Sequence, residues 1–158
     1  MDMTEQPVPR AEQDALDPGT RWQVSEVLSH FAHMVDNDEW TLLPLLFTPD
    51  ATLSAQDGSA HGLSEIQNYL RPGDRWRAHH TLNTITRFLA DGTVSAWSRF
   101  LIVEAAGTTT SGDYVDVLSD TAEGWRIRSR RISLRNRPGA APDGQPWRTE
   151  SFATWIAE

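Results

Sequence analysis

Four strand-forming segments joined by short turns constrain the fold of this chain more than any other feature of its sequence. The segments are residues 77–89, 94–104, 111–118 and 125–134, and in the first of them β-branched and apolar residues recur with a period of two. The connections are Ala90-Asp91-Gly92, a loop around Gly107, and Glu123-Gly124. Because consecutive strands joined by such short turns pair side by side, this half of the chain is predicted to be an antiparallel meander.

Helical segments precede these strands. From Arg21 apolar residues recur at i, i+3, i+4 and i+7, and Asp36 lies at the edge of that apolar face. A short segment with Pro44 in its first turns follows over residues 39–46, then a turn at 48–50, a strand at 51–55 and a third helix from Gly62 to Leu70. Helices followed by a sheet favour an α+β fold: three N-terminal helices packed on a strongly curved, mainly antiparallel sheet, forming a cone-shaped barrel with a central pocket.

Both ends of the chain are expected to lie outside the folded domain of residues 20–135. Residues 1–19 are rich in Pro, Asp, Glu and Gln without periodicity, which predicts a flexible arm. In the tail of residues 136–158, a Pro/Gly-rich loop precedes a segment with Trp147, Phe152 and Trp155. Such a density of aromatic residues predicts that the tail folds back as a cap or packs on a second subunit.

Composition narrows the classes of function. The formal net charge is −8, and no apolar run reaches the roughly 18 residues of a membrane span, so neither nucleic acid nor a membrane is an expected partner. The arginine-rich stretch of residues 126–137 places its charges on both faces of a strand, which favours a solvated outer sheet face with local salt bridges over a nucleic-acid-binding surface. Without cysteine, and with five histidines that lack metal-ligand spacing, we expect a cytoplasmic protein with neither metal nor cofactor.

A polar strand face is the main chemical signal in the sequence. Alternation places His79, Thr81, Asn83 and Ile85 on one face of the first long strand and His80 on the other. Such a face is either an internal hydrogen-bond network or the wall of a polar pocket. His80 remains a rival to His79, because a bulge of one residue exchanges the two faces.

Several fragments, in their order, resemble the SnoaL-like branch of the nuclear-transport-factor-like α+β barrel superfamily. They are HFAHMVDNDEWTLLPLLFTPDATL (30–53), GLSEIQNYL (62–70), HHTLNTITRFLADGTVSAWSRFLIV (79–103), GDYVDVL (112–118) and GWRIRSRRISL (124–134), and they cover about residues 20 to 135. The superfamily includes polyketide cyclases, ketosteroid isomerases, epoxide hydrolases, scytalone dehydratase and a bile-acid dehydratase. It also includes non-catalytic binding and assembly domains, so the function depends on the site.

The resemblance to the dehydratase members implies that Asp36 and His79 form a catalytic acid–base pair. Elimination of water beside a carbonyl needs a base for the α-proton and an acid for the leaving hydroxyl. A histidine oriented by a carboxylate can hold its proton on one chosen nitrogen and deliver it through the other. The alternative is that Asp36 caps its helix and His79 is a core histidine. The chain departs from the dehydratase pattern at Phe31, where those members carry tyrosine, and at Ile102, on the strand where they place a second His or Asp.

Further residues are expected to contact a substrate. The Tyr114 hydroxyl can polarise a carbonyl; alternatively, Tyr114 is a core aromatic residue whose hydroxyl contacts solvent. Asn83 can bind a substrate oxygen or orient His79, or it makes an internal hydrogen bond. Glu104 is expected at the rim, and the family register turns Phe100 and Ile102 inward. The candidate substrate-binding residues are Tyr114, Asn83, His80, Phe31, Trp40, Phe100, Ile102 and Glu104.

These features together predict an enzyme that acts without a cofactor on a hydrophobic, oxygenated small molecule such as a polyketide or terpenoid. The expected reaction is cyclisation, dehydration or isomerisation by proton transfer. Two alternatives stay open: a non-catalytic module that binds a small molecule or a partner, and the small subunit of a ring-hydroxylating oxygenase. A homodimer is expected, because an open curved sheet and an aromatic tail both need cover.

Overall fold

The computed structural model describes residues 16–71, 77–136 and 155. Most of the predicted N-terminal arm, the Pro72-Gly73 turn and most of the C-terminal tail lie outside these residues. The elements are α1 (Pro18–Asp36), a 3₁₀ turn (Trp40–Leu42), α2 (Leu43–Leu46), β1 (Phe47–Ala55), β2 (Gly58–His61), α3 (Gly62–Leu70), β3 (Arg77–Phe88), β4 (Val94–Glu104), β5 (Thr109–Thr121) and β6 (Gly124–Asn136).

Helix α1 begins three residues earlier than its apolar periodicity indicates. The Asp17 side chain caps the helix by accepting hydrogen bonds from the backbone N–H groups of Gly19 (2.9 Å) and Thr20 (3.1 Å), and Pro18 occupies the first turn. The predicted apolar face is buried: Val24, Leu28, Phe31 and Val35 all belong to the core. Helix α1 therefore lies with this face against the sheet, and its last residue is Asp36. Among the described residues, no helix combines the length and apolarity needed to cross a membrane.

The six strands form one mixed sheet in the order β2-β1-β6-β5-β4-β3. Strands β3 to β6 pair as the predicted antiparallel meander, whereas β1 pairs with β6 in parallel. The predicted α+β class and the mainly antiparallel sheet are confirmed. The expected barrel is not closed, because β2 and β3 remain as the two edges of the sheet.

The first two strands of the sheet differ from the sequence prediction in two details. The turn predicted at residues 48–50 is wrong, because these residues lie within β1; a register shift between Phe47 and Thr52 accommodates Pro49, which cannot donate to a regular ladder. Strand β2 was not predicted, since Gly58-Ser59-Ala60-His61 carries no strand-forming residue type. It forms a hairpin with β1 after the turn at residues 56–57.

A bulge near Asn83 divides β3 into two parts with opposite facing. Thr81 pairs with Phe100, but beyond the register shift Ile85 pairs with Trp97 instead of Ala96. Asn83 has a positive φ of 51°, a conformation that asparagine tolerates better than most residues. The prediction that Asn83 and Ile85 share the face of His79 is therefore wrong, because the bulge interrupts the alternation.

Trp155 shows where one part of the C-terminal tail packs. Its indole is buried, donates a hydrogen bond to Ser95 Oγ at 3.1 Å and lies 6.1 Å from the Trp97 ring. Both partners belong to β4, and Trp97 faces away from the helices. This residue of the tail therefore covers the outer face of the sheet.

Gly112 supplies a stability test of the sheet core. An added Cβ would lie 2.5 Å from Phe100 Cζ and even closer to the Ser133 carbonyl oxygen. We expect Gly112→Ala to lower the free energy of unfolding by about 2–3 kcal/mol, because the Phe100 ring and a paired backbone must both move. Urea unfolding would measure the change.

The matched control is Gly58→Ala, whose Cβ would meet Tyr69 Cε2 at an ordinary 3.5 Å. Its expected change is within about 0.5 kcal/mol. Equal stability of the two variants would contradict the close packing of Phe100 over Gly112.

Candidate active site

Asp36 and His79 are in direct contact, although 43 residues separate them in the sequence. The carboxylate of Asp36 accepts two hydrogen bonds from His79: the backbone N–H donates to Oδ2 at 2.8 Å, and Nδ1 lies 2.5 Å from Oδ1. Asp36 ends α1 and His79 is the third residue of β3, so helix and edge strand meet at this pair. The structure thus pairs His79, and not His80, with Asp36.

The hydrogen bond to Asp36 defines the proton position on His79. An ionised carboxylate can only accept, so Nδ1 carries the proton and Nε2 keeps a free lone pair. Only 9% of the His79 side chain is exposed, against 24% for Asp36. Burial lowers the pKa of His79 below 6.5; the hydrogen bond and charge of Asp36 oppose this effect, and Arg77 and Arg130 add to it. His79 is therefore a neutral imidazole at neutral pH, which suits a general base.

An NMR titration tests this electrostatic arrangement. We expect His79 to titrate below 6.5, and Asp36→Asn to lower its pKa further, because the charge that favours the imidazolium is removed. The spectrum of His79→Ala assigns the signal. A higher pKa in Asp36→Asn would contradict the arrangement.

The same shift predicts the pH dependence of stability. At pH values between the pKa of His79 in the folded protein and its ordinary value of 6.5, the unfolded chain binds more protons at His79 than the folded chain does. The contribution of His79 to stability is therefore complete above 6.5 and is lost as the pH falls towards the folded pKa. Urea unfolding of wild type and His79→Ala at several pH values would measure this contribution by difference.

A buried ion pair lies on the inner face of the sheet, near the dyad formed by Asp36 and His79. Arg130 Nε donates to Asp116 Oδ1 at 2.7 Å and Nη2 donates to Oδ2 at 2.9 Å, across directly paired positions of β6 and β5. Both side chains are fully buried. Burial raises the pKa of Asp116, and the charge and hydrogen bonds of Arg130 oppose the rise. The partner of Asp116 is thus Arg130, and not His79.

Arg130 keeps one donor without a partner. Its Nη1 is buried and makes no hydrogen bond, while the guanidinium carbon lies 4.0 Å from the Phe31 ring centre and 4.3 Å from that of Tyr114. A buried donor without an acceptor costs roughly 1–3 kcal/mol, so it calls for an explanation. The charge of Arg130 is close enough to lower the pKa of His79. Arg130 thus adds a hydrogen-bond donor to the surroundings of the dyad.

The sequence interpretation missed Arg130, because it assigned the whole arginine-rich stretch to a solvated face. That assignment is wrong for this residue, which is 1% exposed. A register shift between Val117 and Leu118 turns Arg130 to the inner face of β6. Its strand-mates Ile132 and Leu134, which pack against the core, were the available signal.

Tyr114 forms a cluster with Arg130, Phe31 and Phe100 on the inner face of the sheet. Its ring stacks on Phe100 at 4.5 Å and meets Phe31 edge-on at 5.8 Å. Burial raises the pKa of Tyr114 to about 12, so the hydroxyl keeps its proton at neutral pH. The charge of Asp36 also contributes to this rise, which places Tyr114 near the dyad. The expected inward facing of Phe100 is observed in this stack.

The remaining sequence candidates occupy different surroundings. Ile102 pairs with His79 across the strands and packs against the core, while Glu104 is half-exposed near the strand end and accepts a hydrogen bond from Thr108 Oγ1 at 3.0 Å. Trp40 is buried, and its indole donates to Asp38 Oδ1 at 3.0 Å. Phe31 lies where dehydratases carry tyrosine and supplies a ring to Arg130 instead of a hydroxyl.

Asn83 and His80 do not join the dyad. His80 is exposed and pairs with Leu101 on the outer side of the sheet. Asn83 lines a cavity of about 270 Å³ with Ile85, Trp97, Ser98 and Arg99. Trp97 and Arg99 lie on the outer side, so Asn83 is turned away from Asp36.

A separate groove of about 560 Å³ lies beside α1 and includes neither residue of the dyad. Its lining is mainly apolar and includes Trp22, Leu42 and Leu45, which are exposed. His30 at this groove is exposed and lies 3.7 Å from Glu26. The groove therefore contains no buried acid–base pair comparable to Asp36 and His79. Within the described ranges, no three His, Asp or Glu side chains gather as ligands for a metal ion.

Comparisons with known proteins agree with this fold. A Nostoc punctiforme protein with a cystatin-like fold superposes with a TM-score of 0.68 at 18% identity, covering 80% of this chain and 97% of that one. ActVI-ORFA from Streptomyces coelicolor gives 0.64 at 24% identity over 73% and 97% of the two chains. A candidate scytalone dehydratase from Novosphingobium aromaticivorans gives 0.66 at 17% identity over 83% and 100%.

A search of curated proteins returns no match. The family model described as a SnoaL-like domain matches residues 19–131, which is most of the chain and includes Asp36, His79, Tyr114, Asp116 and Arg130. The match agrees with the resemblance drawn from the sequence fragments, and the chain therefore belongs to the SnoaL-like domain family.

Proposed function

We propose that this protein is an enzyme that acts without a cofactor on a hydrophobic, oxygenated small molecule by proton transfer at His79. The contact that carries the proposal is the 2.5 Å approach of His79 Nδ1 to Asp36 Oδ1, made by an imidazole that is nine-tenths buried. A hydrogen bond from Nδ1 to a carboxylate fixes the tautomer and the orientation of the imidazole, and a general base needs both. The fold likeness to a candidate scytalone dehydratase supports a dehydration or a related elimination.

The proposed mechanism assigns each group one task. His79 Nε2 takes a proton from the carbon beside a substrate carbonyl, and Asp36 stabilises the imidazolium that forms. Arg130 Nη1 and the Tyr114 hydroxyl donate to the carbonyl oxygen as negative charge develops there. His79 then returns the proton to a leaving hydroxyl, which gives dehydration, or to another carbon, which gives isomerisation; attack by the enolate carbon on a second carbonyl gives cyclisation.

All three reactions share the first step, so exchange of that proton with solvent tests the proposal without knowledge of the natural substrate. Ketones such as 2-tetralone, incubated with the protein in heavy water, would be followed by proton NMR. We expect the wild-type protein to accelerate exchange of the α-protons of at least one bicyclic ketone. Absence of acceleration across a panel of mono-, bi- and tricyclic ketones would contradict the proposal.

One observation favours a second candidate, a non-catalytic module that binds a small molecule. The rings of Phe31, Phe100 and Tyr114 contact one another and cover Arg130, so side chains already occupy much of the space beside it. Such a module would bind the bicyclic ketones, with chemical-shift changes at Tyr114, without accelerating exchange.

A further inference from the structure

Arg77 lies on the same strand face as His79, at the start of β3. The two residues are two positions apart before the bulge, and Arg77 pairs with Glu104 as His79 pairs with Ile102. Two strand positions correspond to about 6.6 Å along the chain. Arg77 is half-buried, whereas Arg130 on the inner sheet face is fully buried. Arg77 therefore places a cation beside the dyad, on the more exposed side of the site.

Arg77 has no acceptor among the described residues. Its Nε is buried and makes no hydrogen bond, and no carboxylate in the described ranges lies within 4.0 Å of its nitrogens. Glu104, directly opposite in the sheet, accepts a hydrogen bond from Thr108 instead. Other partly buried arginines differ, since Arg99 and Arg135 both bind the Asp113 carboxylate.

We propose that Arg77 binds a carboxylate of the substrate and makes the site selective for acidic molecules. Arg130 shows the geometry on this same sheet, where Nε and Nη2 hold the two oxygens of Asp116 at 2.7 and 2.9 Å. The corresponding edge of Arg77 is unpaired, and guanidinium matches a carboxylate in this two-point arrangement. The proposal rests on the proposed function of the dyad and narrows its substrate class to keto acids. The spacing of Arg77 and His79 places the acid several bonds from the reacting carbon.

The charge of Arg77 also reaches the dyad, since it lowers the pKa of His79. The other charged groups acting on His79 are Asp36, which raises that pKa, and Arg130, which lowers it. A carboxylate bound to Arg77 would offset one of the two cations. Binding of an acidic ligand should therefore raise the pKa of His79, an effect that a purely structural role of Arg77 does not produce.

Calorimetric titration with 2-naphthoate and its methyl ester tests the proposal. These ligands share a bicyclic ring and differ in the charge that Arg77 would recognise. We expect the wild-type protein to bind the acid at least about tenfold more tightly than the ester, because a charge-assisted hydrogen-bond pair is lost with the ester. Arg77→Met should bind both ligands equally, and Arg77→Lys should keep part of the preference. The matched control is Arg128→Met, an exposed arginine on β6, which should behave as wild type.

Equal affinity for acid and ester in the wild-type protein, or a full preference in Arg77→Met, would overturn the proposal. If circular dichroism shows that Arg77→Met does not fold, the proposal is tested by two other measurements. These are the ratio of the wild-type affinities for acid and ester, and the pKa of His79 measured by NMR with and without 2-naphthoate. The His79→Ala variant separates this proposal from the proposed function. A preserved preference for the acid in that variant, together with absent proton exchange in the wild-type protein, would reject catalysis and keep Arg77 as an anion-binding residue.

Discussion

Replacing His79 by alanine is expected to slow α-proton exchange by about 10³-fold, within the range that a positioned general base contributes. The imidazole can serve as this base, because its contact with Asp36 leaves Nε2 a free lone pair and burial lowers the pKa of His79 below 6.5. Proton NMR of 2-tetralone in heavy water would measure the rate. His80→Ala is the matched control, since its imidazole is exposed and faces the other way, and it should exchange at the wild-type rate.

Asp36→Asn provides a second test of the dyad. An amide can accept through oxygen and preserve much of the geometry, but it does not stabilise the imidazolium that forms during proton transfer. We expect a smaller loss than in His79→Ala, about 10²-fold. Full exchange rates in both His79→Ala and Asp36→Asn would reject the catalytic assignment of the pair.

Replacing Arg130 by methionine is expected to lower the free energy of unfolding by about 3–5 kcal/mol. The substitution leaves the Asp116 carboxylate buried without its partner, which is the costly way to break a buried ion pair. Urea unfolding would measure the loss. A loss under about 1 kcal/mol would show that Asp116 is hydrated or protonated, contrary to the buried pair described above.

The double variant Arg130→Met/Asp116→Leu separates the structural role of Arg130 from its proposed role in catalysis. Because two apolar side chains can replace a buried ion pair with little cost, we expect the double variant to recover most of the lost stability. Its exchange rate should remain about 10²-fold or more below wild type, since the donor to the carbonyl oxygen is gone. Recovery of both stability and exchange would limit Arg130 to a structural role.

The predicted elements that match the structure are those with strong local signals. Strand β4 and helix α3 have the predicted bounds. Apolar and aromatic residues fill β4 between two turns, and a Gly-Leu-Ser-Glu start and a Pro-Gly stop frame α3. Strand β2 and the start of β1 were missed, since pairing with neighbouring strands, and not local preference, holds them in the sheet.

The Asp36–His79 contact followed from the resemblance, and the structure places the two side chains together. Two bulges limit what alternation reveals about the other residues. One turns Asn83 away from His79, and the other separates Arg130, which shares the inner face with Ile132 and Leu134, from the earlier part of β6. A shift of one residue reverses the facing of every side chain beyond it, so alternation assigns each residue after an unrecognised bulge to the wrong face of the sheet. Homodimer formation and a cytoplasmic location stay predictions.

The pH dependence of α-proton exchange tests the central claim most directly, because it reports the ionisation of the base itself. We expect the wild-type rate to rise with pH, to reach half of its plateau below 6.5, and to stay constant through neutral pH. His79→Ala should lose this plateau and retain only the increase due to hydroxide. The same profile in both proteins, or a half-maximal rate in the wild-type protein well above 6.5, would contradict proton transfer by a neutral His79 held by Asp36.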